Sequence, residues 1–326
     1  MSHRESQDCA LRLSLVIPVF DEADTVEVFL DRVNQVFEKQ TSVAIEILFV
    51  NDGSTDSTLE KLLARQGRDG RIKIIDLSRN FGKESALTAG LAAAEGEVVV
   101  PIDVDLQDPP ELIPEMIAKW REGYEIVMAR RSNRHADYWA KRVFADWFYR
   151  IHNTIANQPL PANVGDFRLL DRSVVNALNE LPESCRFMKG LFAWVGFHTT
   201  YIDYARPERS AGKGKFNGWK LWNFALEGLT SFSTEPLRIW TYLGFLMSSI
   251  SFIFAMFIFL KVIIYGVDVP GYASLMVAVT FLGGLQLVGI GVIGEYLGRT
   301  YIESKRRPVF LIRRIYQAQE NRAPGQ

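Results

Sequence analysis

Up to about residue 130, short apolar runs alternate with stretches whose apolar residues recur every three or four positions. The runs 13–19, 45–50, 72–77, 98–102 and 126–129 predict strands. Between them, 25–39 places Val26, Phe29, Leu30, Val33 and Phe37 at helical spacing, and 58–65, 83–94 and 111–122 predict further helices. Strands alternating with helices imply an α/β domain with a doubly wound, mostly parallel sheet, whose ligands bind beyond the carboxyl ends of the strands. Further on, 135–156 reads as an amphipathic helix, with Trp139, Val143, Phe144, Trp147, Phe148, Ile151 and Ile155 near one stripe. It packs on the sheet or lies at a bilayer surface. Residues 173–181 predict another helix.

The pattern changes near residue 237. Residues 239–260 and 269–294 are runs of 22 and 26 residues without a formal charge. At about 1.5 Å per residue, each is long enough to cross a hydrocarbon core of roughly 30 Å. The alternative is a pair of buried helices in a soluble protein. The connection 261–268 is short, so the two spans are expected to form a transmembrane hairpin. Arg238 precedes them, and Arg299, Lys305, Arg306, Arg307, Arg313 and Arg314 follow, while the turn holds only Lys261 against Asp268. The basic excess outside the hairpin predicts cytoplasmic termini. Trp240, Tyr242, Tyr265, Tyr272 and Tyr296 stand where interfacial anchors belong. Gly289, Gly291 and Gly294 spell the dinucleotide pattern G-x-G-x-x-G, but inside an apolar span that pattern has no strand before it. Close helix approach through these glycines and Gly298 is the expected reason for them. The chain thus divides into a tail (1–12), a catalytic domain (13–205), a basic loop with juxtamembrane amphipathic helices including 219–232 (206–236), two transmembrane helices (237–297) and a basic C-terminal tail (298–326).

The 326 residues carry a net charge of −1, which argues against nucleic acid as a partner. The two cysteines, Cys9 and Cys185, have no nearby histidine cluster, which disfavours a zinc site or a disulfide framework. A polar N-terminus gives no signal-peptide pattern.

Candidate chemistry gathers at the strand ends. The first strand runs into Phe20-Asp21-Glu22, the second into Asn51-Asp52-Gly53-Ser54, the fourth into Asp103-Val104-Asp105-Leu106-Gln107. Turn chemistry alone accounts for 51–54 equally well. Asp103 and Asp105, two apart on an extended segment, would point the same way and repel unless a cation intervenes. A hard divalent ion relieves that repulsion and draws further ligands from substrate phosphates. Asn163-Val164-Gly165-Asp166-Phe167-Arg168 reads as a turn-like segment with one carboxylate, or as a cap for the helix that follows. The segment 206–215, with Arg206, Arg209, Lys213 and Lys215 among glycines, is a solvated loop or a mobile phosphate clamp.

Val16-Ile17-Pro18-Val19-Phe20-Asp21-Glu22, Val50-Asn51-Asp52-Gly53-Ser54, Asp103-Val104-Asp105-Leu106-Gln107-Asp108-Pro109 and Gly165-Asp166-Phe167-Arg168 resemble family 2 glycosyltransferases of the GT-A fold. Ser78-Arg79-Asn80-Phe81-Gly82-Lys83-Glu84, Lys215-Phe216-Asn217-Gly218-Trp219 and Gly294-Glu295-Tyr296-Leu297-Gly298-Arg299 narrow the resemblance to polyprenyl-phosphate glycosyltransferases with a two-helix anchor, most of all the bactoprenol glucosyltransferases. Phe20-Asp21 stands where such proteins often have Tyr-Asn, and the Q-x-x-R-W pattern of processive synthases is absent.

The resemblance implies an inverting transfer of glucose from UDP-glucose to undecaprenyl phosphate, giving lipid-linked glucose for O-antigen or cell-envelope modification. It assigns Asp166 as the catalytic residue. Pro18, Phe20, Glu22, Asn51, Asp52, Lys83, Asp103, Val104 and Asp105 would hold the donor nucleotide. Arg131, Arg209 and Lys215 would meet phosphates. Asp105, Asp103 and Gln107 would hold Mg²⁺ or Mn²⁺. It further implies a multi-pass protein of the bacterial inner membrane, a homotetramer, and a separate flippase and O-antigen glucosyltransferase downstream. The alternatives are another donor (UDP-GlcNAc, UDP-galactose or GDP-mannose) and a non-catalytic membrane scaffold that binds sugar nucleotide.

Overall fold

The computed structural model describes residues 10–38, 40–131, 164–184, 186, 188–204 and 271–317, with scattered positions between 240 and 264. β1 (Leu11–Val19) is followed by α1 (Val26–Phe37), β2 (Val43–Asn51), α2 (Thr58–Gln66), β3 (Ile72–Leu77), α3 (Lys83–Ala93) and β4 (Val98–Pro101). Next come a 3₁₀ turn (Pro110–Leu112), α4 (Ile113–Arg121), β5 (Ile126–Arg131), β6 (Val164–Asp171), α5 (Arg172–Glu180), α6 (Met188–Trp194) and β7 (Thr199–Tyr204). A long helix, α7 (Tyr272–Ser304), and β8 (Ile312–Tyr316) complete the order.

The strands form one eight-stranded sheet in the order β7-β5-β6-β4-β1-β2-β3-β8. It is mixed. β1 pairs in parallel with β2 and β4, as do β2 with β3 and β5 with β7. β6 runs antiparallel between β4 and β5, and β8 runs antiparallel along β3. The expectation of a turn at 163–168 is therefore corrected for its described part: residues 164–168 open β6, and the cap of α5 is Asp171, which accepts from Ser173 N at 2.9 Å. Its charged residues conceal the strand, because Asp166 and Arg168 share one face while Phe167 is buried on the other. The stretch 298–326, expected as a tail, supplies the end of α7 and the edge strand β8.

Alternation along the strands divides the core between two faces. Leu13, Leu15, Ile17 and Val19 of β1 join Phe29 of α1, Leu62 of α2 and Ile113 of α4. Val16 faces the other way, with Leu48, Val50 and Ile75 against Ala86 and Leu87 of α3. Helix α3 lies close on this face because Gly90 has no side chain. A Cβ there would overlap Val16 and approach Val50 Cγ2 at 3.1 Å.

Helix α7 has 33 residues, about 50 Å at the α-helical rise. Within its segment Phe281–Ser304 an 18-residue stretch has a mean hydropathy of 1.4, with none of its residues buried inside the structure. It is the one helix among the described residues long and apolar enough to cross a membrane. Within 239–260 the described positions, from Trp240 to Leu260, are helical. The Trp240 ring lies against Gly289, where a Cβ would come within 3.4 Å. Gly291, Gly294 and Gly298 have no such neighbour among the described residues, so the close approach expected of all four glycines is seen at Gly289 alone. Ile263 and Ile264, within the expected connection 261–268, are helical as well, while the other residues of that connection, the helices 135–156 and 219–232 and the loop 206–215 lie outside the described residues. Helix α7 ends against the catalytic domain: both Glu303 carboxylate oxygens accept from Ser184 N, at 2.9 and 3.0 Å.

Gly90→Val forces a branched side chain into Val16 and Val50. We expect it to cost about 1–3 kcal/mol of stability, read as a lowered melting temperature with native secondary structure at low temperature.

Candidate active site

Beyond the carboxyl ends of β1, β2 and β4 lies a cavity of about 310 Å³, lined by residues that include Pro18, Phe20, Glu22, Asp52, Lys83, Asp103, Val104 and Asp105. Eight of the nine expected donor-binding residues thus come together. The ninth, Asn51, does not line the cavity. Its side chain is buried, donating to Asp76 Oδ1 at 2.8 Å and accepting from Ser54 N at 3.3 Å, so it shapes the turn beneath Asp52. Val19, Asn80, Gly82 and Ala86 also line the cavity and were not among the expected residues.

Three loops make the rim. Asp21 locks the first to the second, accepting from Thr55 N at 2.7 Å and donating its own amide to Ser54 Oγ at 3.0 Å. Asp52 locks the second to the third, accepting from Phe81 N at 2.7 Å and Gly82 N at 2.9 Å. This close approach requires Gly53 (φ +70°), where a Cβ would stand 2.6 Å from the backbone of Arg79 and Asn80. Burial pushes the Asp52 carboxyl above its ordinary range despite the two amides. Asp21 and Leu106, in the loops that border the cavity, both adopt positive φ, +53° and +56°; Arg306, just beyond α7, is the third such non-glycine residue among those described.

The D-x-D pair is arranged differently from its expectation. β4 stops at Pro101, and the chain turns through Val104 and Asp105. The pair lies on a turn rather than on an extended strand, although both residues still line the cavity. Asp105 is exposed and its Oδ1 accepts from Gln107 N at 3.1 Å. Asp103 is bound to Lys83 Nζ at 2.8 Å, and burial pushes its carboxyl up in spite of that ammonium. Gln107 is buried with its Oε1 unpartnered among the described residues. No group of three or more His, Cys, Asp or Glu side chains arranged for a metal occurs among those residues. An exposed carboxylate, a second acid and an orphaned amide oxygen still fit a hard cation that takes its remaining ligands from a substrate diphosphate.

Asp166, on β6, joins this group through Lys83, whose Nζ stands 2.9 Å from Asp166 Oδ2. The other oxygen, Oδ1, is buried and has no partner among the described residues. Burial opposes the charge of Asp166, yet Lys83 and Lys189 outweigh it and hold the carboxyl below its ordinary range. For Lys83, burial is likewise outweighed by Asp166 and Asp103, and its ammonium is held above the usual lysine range. Arg168 is wholly buried, its guanidinium 3.9 Å from the centre of the Phe192 ring. It donates to Gly165 O at 2.6 Å and so fixes the backbone under Asp166. Burial pushes its pKa down to about 10.

The sequence reading left Glu84 without a role. Burial and the charge of Asp166 push its carboxyl up to about 7. Its one advance signal is an acid beside Lys83 in a helix otherwise made of small residues and two leucines. On the opposite side, Arg131 Nε donates to Tyr204 Oη at 3.3 Å, and Arg131 Nη2 stands 3.8 Å from Asp108 Oδ1. Tyr204 donates to Asp108 as well, and burial with the Asp108 charge pushes its hydroxyl up to about 12. Nothing in sequence spacing links these three residues. Arg209 and Lys215 lie outside the described residues.

Because the folded protein raises the Glu84 pKa, its contribution is fully present below the unfolded value and is lost as pH rises through about 7. Glu84→Gln should therefore melt above the wild type near pH 8, and the gap should close below about pH 5. Paired thermal melts across this range check it.

Comparison with known proteins places this geometry. The family model described as Glycosyl transferase family 2 matches residues 14–178. A prophage bactoprenol glucosyl transferase homologue of Escherichia coli K12 is 51% identical over 305 residues, covering 94% of this chain and 99% of the relative. The bactoprenol glucosyl transferase of Shigella phage SfV is 50% identical over 303 residues, covering 93% and 98%. The crystal structure of Mycobacterium tuberculosis glucosyl-3-phosphoglycerate synthase with Mn²⁺, UDP and phosphoglyceric acid superposes with a TM-score of 0.47 at 20% identity, covering 68% of this chain and 76% of that one. With a mixed GT-A-type sheet and an acid-rimmed cavity at its strand ends, the chain is a glycosyltransferase and belongs to glycosyltransferase family 2.

Proposed function

We propose that the protein transfers glucose from UDP-glucose to undecaprenyl phosphate at the cytoplasmic face of a bacterial inner membrane, with inversion at the anomeric carbon. The observation that carries this reading is identity of about half the residues with bactoprenol glucosyl transferases over more than nine-tenths of the chain. That span includes the apolar C-terminal region as well as the catalytic domain.

In this reading the nucleotide occupies the cavity lined by Pro18, Phe20, Glu22, Asp52, Asp103 and Val104. Asp105, with Asp103 and Gln107, would hold Mg²⁺ or Mn²⁺, which supplies positive charge to the departing diphosphate. An oxygen of the lipid phosphate forms the new bond to the sugar C1, and the C1–O bond to UDP breaks with its electron pair going to UDP. A phosphate monoester has a second pKa of about 6, so the acceptor is already an anion at neutral pH. Asp166 then serves to orient the acceptor or to face the positive charge that grows on the sugar, and its unpartnered Oδ1 is the oxygen available for either role. Arg131, with Arg209 and Lys215, meets the phosphates.

Two spans would hold the active site at headgroup level, and strand pairing supports this count. β8 follows α7 and returns to the sheet beside β3. In this reading β1 and β8 would lie on one side of the membrane, as two crossings allow. A homotetramer, and separate proteins to flip the product and pass its glucose onward, complete the reading.

Incubation of the full chain with radiolabelled UDP-glucose and undecaprenyl phosphate should yield labelled lipid with Mg²⁺ and none with EDTA. Label from UDP-GlcNAc, UDP-galactose or GDP-mannose in its place would reassign the donor, and no label from any donor would leave a scaffold. Asp166→Asn should lower turnover by about 100-fold or more with UDP affinity retained, and near-normal turnover would remove both roles given to it. For topology, a cysteine placed at Val267 should react with an impermeant thiol reagent added outside intact spheroplasts, and one placed at Gln317 only after permeabilisation.

A further inference from the structure

Lys83 is the first residue of α3, and its ammonium bridges two carboxylates of different origin. Asp103 belongs to the turn that lines the donor cavity. Asp166 belongs to β6, outside that lining. Among the described residues, neither carboxylate has an ion pair with any other cation. The base of Lys83 is fixed as well. Asp52 holds the amides of Phe81 and Gly82, Gly82 turns at φ +97°, and its carbonyl accepts from Ser85 N and Ala86 N to start the helix. A lysine meant to grip a diphosphate would present its donors to the cavity. This one commits two of its three to protein acids, at 2.8 and 2.9 Å.

We propose that Lys83 is a positioning residue for transfer, acting through Asp103 and Asp166 and setting the distance between donor side and acceptor side, rather than a ligand of either substrate. The proposal rests on the reaction given above and deepens it. Without the ammonium, two partly buried acids of like charge would move apart. The unpartnered Oδ1 of Asp166 would then no longer be aimed from a fixed point. Arginine at the same position returns the positive charge with a different reach, so it should restore part of what methionine removes.

The test uses Lys83→Met and Lys83→Arg in the full chain, with separate kcat and KM values for UDP-glucose and undecaprenyl phosphate. UDP affinity is measured by calorimetry with Mn²⁺. We expect Lys83→Met to lower kcat about 100-fold while both KM values and the UDP Kd stay within about threefold, and Lys83→Arg to recover at least about tenfold of that loss. A UDP Kd or donor KM raised about tenfold with kcat retained would make Lys83 a donor ligand and overturn the proposal. The same change in the lipid KM would make it an acceptor ligand, with the same consequence. Arginine no better than methionine would remove charge from the explanation and overturn it too. If the methionine variant does not fold, the split between kcat and KM in Lys83→Arg decides alone. If the wild type transfers no sugar to lipid, the functional reading fails separately, and Lys83 is judged on UDP: an unchanged Kd supports positioning, and a tenfold loss refutes it.

Discussion

Acids half-withdrawn from water at the rim of a sheet are held by cations, and here one ammonium serves two of them. Lys83 sits between Asp103 and Asp166, and most of the surrounding structure fixes one of those three positions. Asp52 pins the turn that starts α3. Arg168 holds the backbone below Asp166 from inside the core, with Phe192 against its guanidinium. A buried arginine without an ion pair is costly, and two backbone carbonyls, an aromatic face and the nearby charges of Asp166 and Glu84 offset that cost. The site is therefore an electrostatic arrangement built at the meeting of β1, β2, β4 and β6, and the sheet order is what brings those strand ends together.

A second cluster, outside the cavity lining, is organised around Asp108. Tyr204 ends β7, Arg131 ends β5, and both lean on that one buried carboxylate. The two stretches that follow them, 132–163 and 205–239, lie outside the described residues. The D-x-D turn ends at the same residue, so that turn and the ends of β5 and β7 share an anchor.

Much of this was legible in the sequence, and what was not has physical reasons. β1 to β5 and the helices between them follow hydrophobic patterning because each strand lies inside the sheet and α1, α2 and α4 each bury one stripe, while α3 buries the unbroken run from Ala86 to Leu91. Strands β6 and β8 break that correspondence. In β6 the charged residues point inward to the site, and in β8 the pair Arg313-Arg314 on an edge strand reads as a basic tail. The donor cavity was readable because its residues follow strand ends directly. Asn51 was misplaced because an amide in a turn looks the same whether it faces a ligand or a buried acid such as Asp76. The Lys83 bridge joins residues 20 and 83 positions away, from three elements, and no local pattern encodes such a meeting.

Strand β8 gives the chain an order of assembly. The wall under Asp52 depends on Asn51, Asn51 on Asp76, and Asp76 on Arg313, which stands 3.3 Å from it and also donates to Ser78 O at 2.7 Å. Arg313 leaves the ribosome after the whole of the long apolar helix. A nascent chain thus carries an open β3 edge and a buried acid lacking that cation until Arg313 has been made. The support beneath the cavity is complete only after the greasy segment has been made.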